Sequence, residues 1–332
     1  MDAARPFEGG DIERRRDGNG RGYGSAGVFW GAAMRQPTLK QLRYLTAVAQ
    51  HQHFGQAATA SHVSQSTLSA GILELEEVLG VSLIERNNRR VFLTPTGEQV
   101  VTRARELLVD VEDLVSLCAG AGEPFHGRMR LGVIPTVAPF LLPELLGEIR
   151  DLYPEFKLYI REALSQPLLE ALQAGELDVL LLALPFPAEQ VETMPLFADE
   201  FLLACPESHP LATRSRLTSA DLRGEALLLL EEGHCLRDHA LEACELRDSQ
   251  ITIPYQATSL ATIVQMVAND IGVTLLPSMA VKAGITTNTT LSVRHFDQRT
   301  ITRQIGLMWR KKTSRRIEFR QLGDLIARLV AT

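Results

Sequence analysis

The chain has 332 residues, 34 Lys/Arg against 40 Asp/Glu, 45% hydrophobic content and four cysteines. That length suggests two or three domains of an ordinary soluble protein. A net charge of −6 excludes a histone-like basic protein, so any nucleic-acid surface must be local. The cysteine density excludes a disulfide scaffold. Apolar runs such as Val179–Leu184 are too short to span a bilayer, and without an apolar leader segment near the start the expectation is the cytoplasm.

Residues 1–33 carry eight glycines, the Arg14-Arg15-Arg16 triplet and almost no apolar periodicity. They read as a disordered extension. Clear periodicity begins at Met34, as it would if translation started there. Over 34–94 the pattern is compact and helical. Leu39, Leu42, Leu45, Val48 and Ala49 recur at helix spacing. The Ala-rich segment Phe54–Ala60 is a second short helix, and Ser61-His62-Val63 a turn. Ser64 caps a third helix whose inner face is Leu68, Ile72, Leu75 and Leu79, and Gly80 ends it. Two helices joined by so short a turn make a helix-turn-helix. The second of them turns Gln65, Ser66 and Ser69 outward, where polar side chains reach base edges in a major groove. Residues 83–93 read as a hairpin whose tip carries Arg86, Arg89 and Arg90, a wing suited to phosphates. From Met34 to Pro95 there are six Lys/Arg against four Asp/Glu, so these arginines concentrate a small excess.

Thr94 caps a helix with Pro95 at its first position, assigned to 95–122. Val101, Ala104, Leu108, Val111, Val115 and Cys118 alternate spacings of three and four, a coiled-coil seam that predicts dimerisation through this helix. Gly120–Gly127 is a linker. Over 127–332 strand-like and helical runs alternate, which predicts α/β units with largely parallel sheets. So many residues suit two lobes with a cleft between them better than one domain. The boundaries assigned are 127–198 with 301–332 for lobe I and 199–300 for lobe II.

Leu42, Phe54–Ala60, Val63–Ser69, Leu75-Glu76, Leu79-Gly80 and Leu93-Thr94-Pro95 resemble the LysR-type transcriptional regulators, and the resemblance spans Met34 to Thr332. It implies an α+β multi-domain chain: an N-terminal winged helix-turn-helix, a long linker helix and a two-lobed, periplasmic-binding-protein-like α/β effector domain. It also implies double-stranded promoter DNA as partner, homo-oligomers up to tetramers, and RNA polymerase where the protein activates. Within that family, Gly233–Asp238 with Cys244 nine positions after Cys235, Ile134–Val137, and Gly272–Pro277 resemble the OxyR, hydrogen-peroxide-inducible, subfamily. The chain has Ser66, Leu73 and Glu74 where many members carry proline and basic residues, which shifts phosphate contact towards the wing. Ser165 stands where relatives often have threonine and preserves the hydroxyl.

Peroxide chemistry needs an accessible thiolate. His234 and Arg237 flank Cys235 and are the expected cations beside it, with Asp238 orienting Arg237 or a water. Thr136 lies at a strand-to-helix junction, where its hydroxyl and the helix N–H groups hold a peroxide oxygen; Ser165 supplies a second hydroxyl. Oxidation of Cys235 to sulfenic acid and capture by Cys244 as a disulfide is the expected switch, reset by cellular dithiols. If the two cysteines begin and end one helix, their Cα atoms stand about 13.5 Å apart. A disulfide needs about 7 Å or less, so the segment must unwind. The alternatives are a LysR-type regulator sensing a small organic effector in the inter-lobe cleft without redox chemistry, a thiol peroxidase, and a solute-binding protein. A DNA-reading head argues against the last two, and neither a cofactor nor enzymatic turnover is expected. Cys235, His239 and Cys244 do not have a common zinc spacing, so no metal is expected. Cys118 and Cys205 read as small buried hydrophobes.

Overall fold

The computed structural model describes residues 35–87, 90–119, 125–245, 255–297 and 301–331. The expectations for residues 1–33 and for Arg89 fall outside them, and of Arg86 and Arg90 only the backbone is described. The head begins with α1 (Leu39–His51), α2 (Phe54–Ala60) and α3 (Gln65–Leu79). Thr38 closes a capping box with Gln41 at the start of α1, satisfying two N–H groups the helix leaves open. Ser64 Oγ accepts from Thr67 N at 3.1 Å, and Gly80, at φ 69°, ends α3. Leu42, Leu45, Val48, Ala57, Ala58, Leu68, Ile72 and Leu75 form the head's core. Leu39 and Leu79, assigned to inner faces, are instead exposed; they stand in the first and last turns, beyond the reach of the facing helix.

The wing is the antiparallel hairpin β1 (Ile84–Asn87) and β2 (Arg90–Leu93). Glu76 on α3 fixes its angle, its carboxylate accepting from Leu83 N at 2.7 Å and Ile84 N at 3.1 Å. The linker helix α4 runs Pro95–Ala119, with Thr94 Oγ1 accepting from Gly97 N at 2.9 Å. The predicted seam is divided. Val101 and Ala104 are buried in the head's core with Leu108 packed against it, because a helix leaving a three-helix head first covers that head's open side. Val115, with Leu107 and Leu114 beside it, is exposed. The side chain of Cys118 lies outside the description.

The effector region follows as β3 (Arg128–Val133), α5 (Ala138–Leu152), β4 (Lys157–Glu162), α6 (Ser165–Gln173), β5 (Val179–Leu184), β6 (Val191–Pro206), β7 (Leu227–Leu230), α7 (Cys235–Ala243), β8 (Gln256–Ala257), α8 (Leu260–Ala268), β9 (Val273–Pro277), α9 (Ser278–Lys282), β10 (Leu291–Arg294), β11 (Thr302–Arg310) and α10 (Arg316–Ala331). The strands run in the order β4-β3-β5-β11-β6-β9-β7-β8, with β10 also paired to β6. The sheet is mixed rather than largely parallel. Parallel pairing holds at β3–β4, β3–β5, β7–β8 and β7–β9. By contrast β11 is antiparallel to β5 and β6, and β6 to β9 and β10. The reason is that the chain crosses between the two halves on β6 and returns on β11, without the helical crossover that parallel neighbours need. β6 also begins well before its apolar run Phe201–Cys205, and Pro195 with the polar residues around it hides its first half in the sequence.

Two cores result. One gathers Leu131, Val133, Leu145, Leu168, Leu181, Leu307 and Phe319. The other gathers Phe201, Leu203, Leu228, Leu236, Ile263 and Leu275.

Candidate functional site

Three strand-to-helix junctions converge where the two cores meet. The turns β3–α5, β4–α6 and the loop β7–α7 deliver Ile134, Pro135, Thr136, Leu164, Ser165, Gly233, His234 and Cys235 to one small pocket of about 160 Å³, open mouth included. Carboxyl ends of strands in open α/β sheets are where ligands bind, because helix N-termini there present free N–H groups. Gly233 has φ 94°, a left-handed conformation that glycine adopts without steric cost. That turn aims Cys235 into the pocket as the first residue of α7.

Of the seven residues expected at the thiol, the pocket gathers Cys235, Thr136, Ser165 and His234. Thr136 is 3% exposed and Ser165 2%. Arg303 holds Thr136 from behind: Nη1 donates to its Oγ1 at 2.8 Å and Nη2 to its carbonyl at 2.9 Å. The Thr136 oxygen thereby accepts, which leaves its hydroxyl hydrogen to donate elsewhere. Arg303 is in turn fixed by Asp199, whose Oδ2 accepts from Nε at 3.0 Å and Nη2 at 2.9 Å. Asp199 Oδ1 accepts from Met279 N at 3.0 Å. Both members of this ion pair are buried, so its hydrogen bonds must offset the desolvation of two charges. Ser165 Oγ is buried with no hydrogen-bond partner among the described residues. A buried hydroxyl so left costs free energy unless a bound molecule completes it.

The expected positive charge beside Cys235 is displaced. Burial pushes the pKa of His234 down, against a smaller upward pull from Glu231, so the imidazole is neutral at pH 7. Arg237 and Asp238 line no wall of the pocket. Residues i and i+2 of a helix point to different sides. The Arg237 guanidinium accordingly lies 4.0 Å from Glu232 and from Asp238, and Asp238 is largely exposed. Arg303 and Asp199 were missed by sequence reasoning. Strand parity was the available signal: Arg303 shares a face with the buried Ile305, Leu307 and Trp309, and Asp199 with Phe201 and Leu203.

Cys244 caps the far end of α7. It is 2% exposed inside the second core, where burial pushes its thiol up to about 12. Cys235 packs against the first core instead. Both are free thiols, as is Cys205, whose pKa burial also raises. Among the described residues no group of three or more His, Cys, Asp or Glu is arranged to hold a metal ion, and no helix is long and apolar enough to cross a membrane. A larger, open crevice lies between α4 and the ends of α6 and β11. Arg103, Arg310 and Lys312 there face Glu106, Asp110 and Glu170, and it contains none of the residues expected at the thiol.

In the head, Ser64, Gln65 and Ser66 are exposed at the start of α3 and Ser69 is half-buried. Ser64 Oγ also meets Ser66 Oγ at 2.9 Å, which leaves Gln65 as the longest outward-facing polar side chain of that turn.

Head, linker helix and two-core effector region define a DNA-binding transcriptional regulator. The chain belongs to the LysR family: residues 39–98 match the family of bacterial regulatory helix-turn-helix proteins of lysR type, and residues 122–331 the LysR substrate binding domain. It is 41% identical to the HTH-type transcriptional regulator EstR of Acinetobacter baylyi over 297 residues, covering 89% of this chain and 98% of that one. Among solved structures it is similar to a full-length, cysteine-substituted OxyR of Pseudomonas aeruginosa, with TM-score 0.73 and 37% identity over 88% of this chain and 95% of that one. It is also similar to a cysteine-substituted OxyR of Corynebacterium glutamicum with hydrogen peroxide bound, with TM-score 0.62 and 36% identity over 90% and 94% of the two chains.

Proposed function

We propose that this regulator senses hydrogen peroxide through Cys235. A peroxide in the pocket accepts from the Thr136 hydroxyl and bonds to Ser165 Oγ. The Cys235 thiolate attacks one peroxide oxygen. The S–O bond forms as the O–O bond breaks, and the departing hydroxide takes a proton to leave as water. Cys235 is then a sulfenic acid. The Cys244 thiol attacks that sulfur, a second water departs, and the S–S bond closes. Nine residues of helix hold the two Cα atoms about 13.5 Å apart, so α7 must unwind first. Reduced and oxidised chains are therefore two discrete states. Cellular dithiols return the disulfide to two thiols.

The observation that carries this reading is the orphaned Ser165 hydroxyl facing the same small pocket as Cys235 and Thr136. The pocket is too tight for an organic effector, and its side chains must give slightly to admit even a peroxide. The two cores support a division into lobe I (127–198 with 301–332) and lobe II (199–300). Ser64, Gln65, Ser66 and Ser69 read bases from the major groove, Arg86, Arg89 and Arg90 neutralise phosphates, and the exposed half of α4 pairs the chains, with tetramers as the higher assembly. RNA polymerase is a further partner if the protein activates.

Two measurements test it. Mass analysis of peroxide-treated C244S should find one added oxygen on Cys235; an unmodified Cys235 sinks the reading. Footprints of reduced and peroxide-treated wild type on promoter DNA should differ, and those of C235S should not.

A further inference from the structure

On α7, one turn below Cys235 and on the same face, His239 has a history of its own in the packing. Its Nδ1 is buried and has no hydrogen-bond partner among the described residues, while the backbone of Pro185, in the β5–β6 connection, raises the pKa of the ring. The charged groups around the ring are Arg303 from β11 and, on α7 itself, Asp238 and Glu242. Asp199, the charged group of β6 nearest in bonding terms, is committed to Arg303. The β5–β6 connection offers the ring only a neutral carbonyl.

A proton added to Nδ1 in this seat meets no acceptor and stands near the Arg303 guanidinium. Leaving the seat relieves both penalties, because the ring is then hydrated. We propose that His239 is a proton-operated latch on α7: neutral, it lets the helix dock against β11 and the β5–β6 connection; protonated, it drives the helix out of its seat. The proposal rests on the reading that α7 must unwind for Cys244 to reach Cys235, and it adds a second input to that step.

The sign follows from linkage. Burial first, and Arg303 second, lower the pKa of His239 when docked, outweighing the upward pull of Pro185, Glu242 and Asp238. The undocked helix therefore binds the proton more tightly. Docking is fully favoured above the ordinary histidine value of 6.5 and weakens as pH falls below it. Between pH 7.5 and 5.5 the opening constant of α7 rises, with about tenfold as the ceiling for one such group.

The test uses the reduced full-length protein and needs no peroxide. Amide hydrogen exchange of peptides spanning α7, corrected for intrinsic rates, is compared at pH 5.5 and 7.5, with peptides of β5 as the folding control. Wild type should open several-fold more readily at pH 5.5, with about tenfold as the ceiling for one group. H239Q has no proton to gain at that position, so its profile should be clearly shallower than that of wild type, the remainder belonging to His234, which starts the same helix and whose pKa burial also lowers. A flat wild-type profile overturns the latch, with or without a folded H239Q, and so does an H239Q profile as steep as that of wild type. Peroxide-induced linkage of Cys235 to Cys244, measured separately, tells the two ideas apart. A flat profile with a normal disulfide removes the latch alone. A steep profile without any disulfide removes the disulfide step alone.

Discussion

The two ends of α7 place the same chemical group in opposite surroundings. At its start, Cys235 is half-buried beside two hydroxyls and the free N–H groups of a first helical turn. At its end, Cys244 sits among Leu228, Leu236 and Ala240 in a hydrocarbon core. The difference shows how one short helix can give two thiols unequal duties. The end open to small polar molecules is suited to meeting an oxidant. The sealed end is kept chemically silent until the helix that seals it gives way.

The sharpest way to break that contrast is alkylation of the reduced protein at pH 8. With its pKa near 12, Cys244 should label about a thousandfold more slowly than an ordinary exposed thiol, and Cys235 should label first. Equal labelling in a mass-spectrometric time course would remove the asymmetry. Next in size is the clamp behind the pocket. R303M leaves Asp199 buried and unpaired, and should cost about 3–5 kcal/mol of stability in denaturant unfolding; a loss below 1 kcal/mol would show that the pair is hydrated in solution.

Smaller effects should separate the two hydroxyls. Removing either donor is expected to slow Cys235 sulfenylation by about ten- to a hundredfold, towards the low end of oxyanion-donor losses. Their stability costs should diverge. T136V strips Arg303 of a partner and should cost about 1–3 kcal/mol. S165A removes a buried hydroxyl that nothing among the described residues bonds, so it should be neutral or stabilise the fold by up to about 1–3 kcal/mol. Equal stability losses would mean that Ser165 has a structural partner. The smallest predicted change is in the head: R90A should lower the slope of log affinity against log salt by about 1. An unchanged slope would take Arg90 off the phosphate backbone.

The head was legible because its signals are local. Capping serines and threonines, a three-to-four residue period and a terminal glycine all act within a few residues. That Cys235 and Ser165 each open a helix after a strand follows from local signals too; that they and Thr136 belong to one site is what the family resemblance implied. Arg303 was not legible. Its partners stand 104 and 167 residues away, and only the mixed sheet brings them together. Arg237 misled for the opposite reason, because a neighbour in sequence on a helix is not a neighbour in space. The seam on α4 misled in part because its first turns had a nearer apolar surface to cover, in the head of the same chain.

The long strand β6 pairs with β11 along its first part and with β9 and β10 along its last. One unbroken ribbon thus serves as a structural member of both halves of the effector region, and the Asp199–Arg303 pair bolts it close to the point where its partners change. Halves joined in this way resist swinging apart like the shells of a clam. On the function proposed above, a message written at Cys235 would then travel by redrawing the outer contour around α7 rather than by parting the halves.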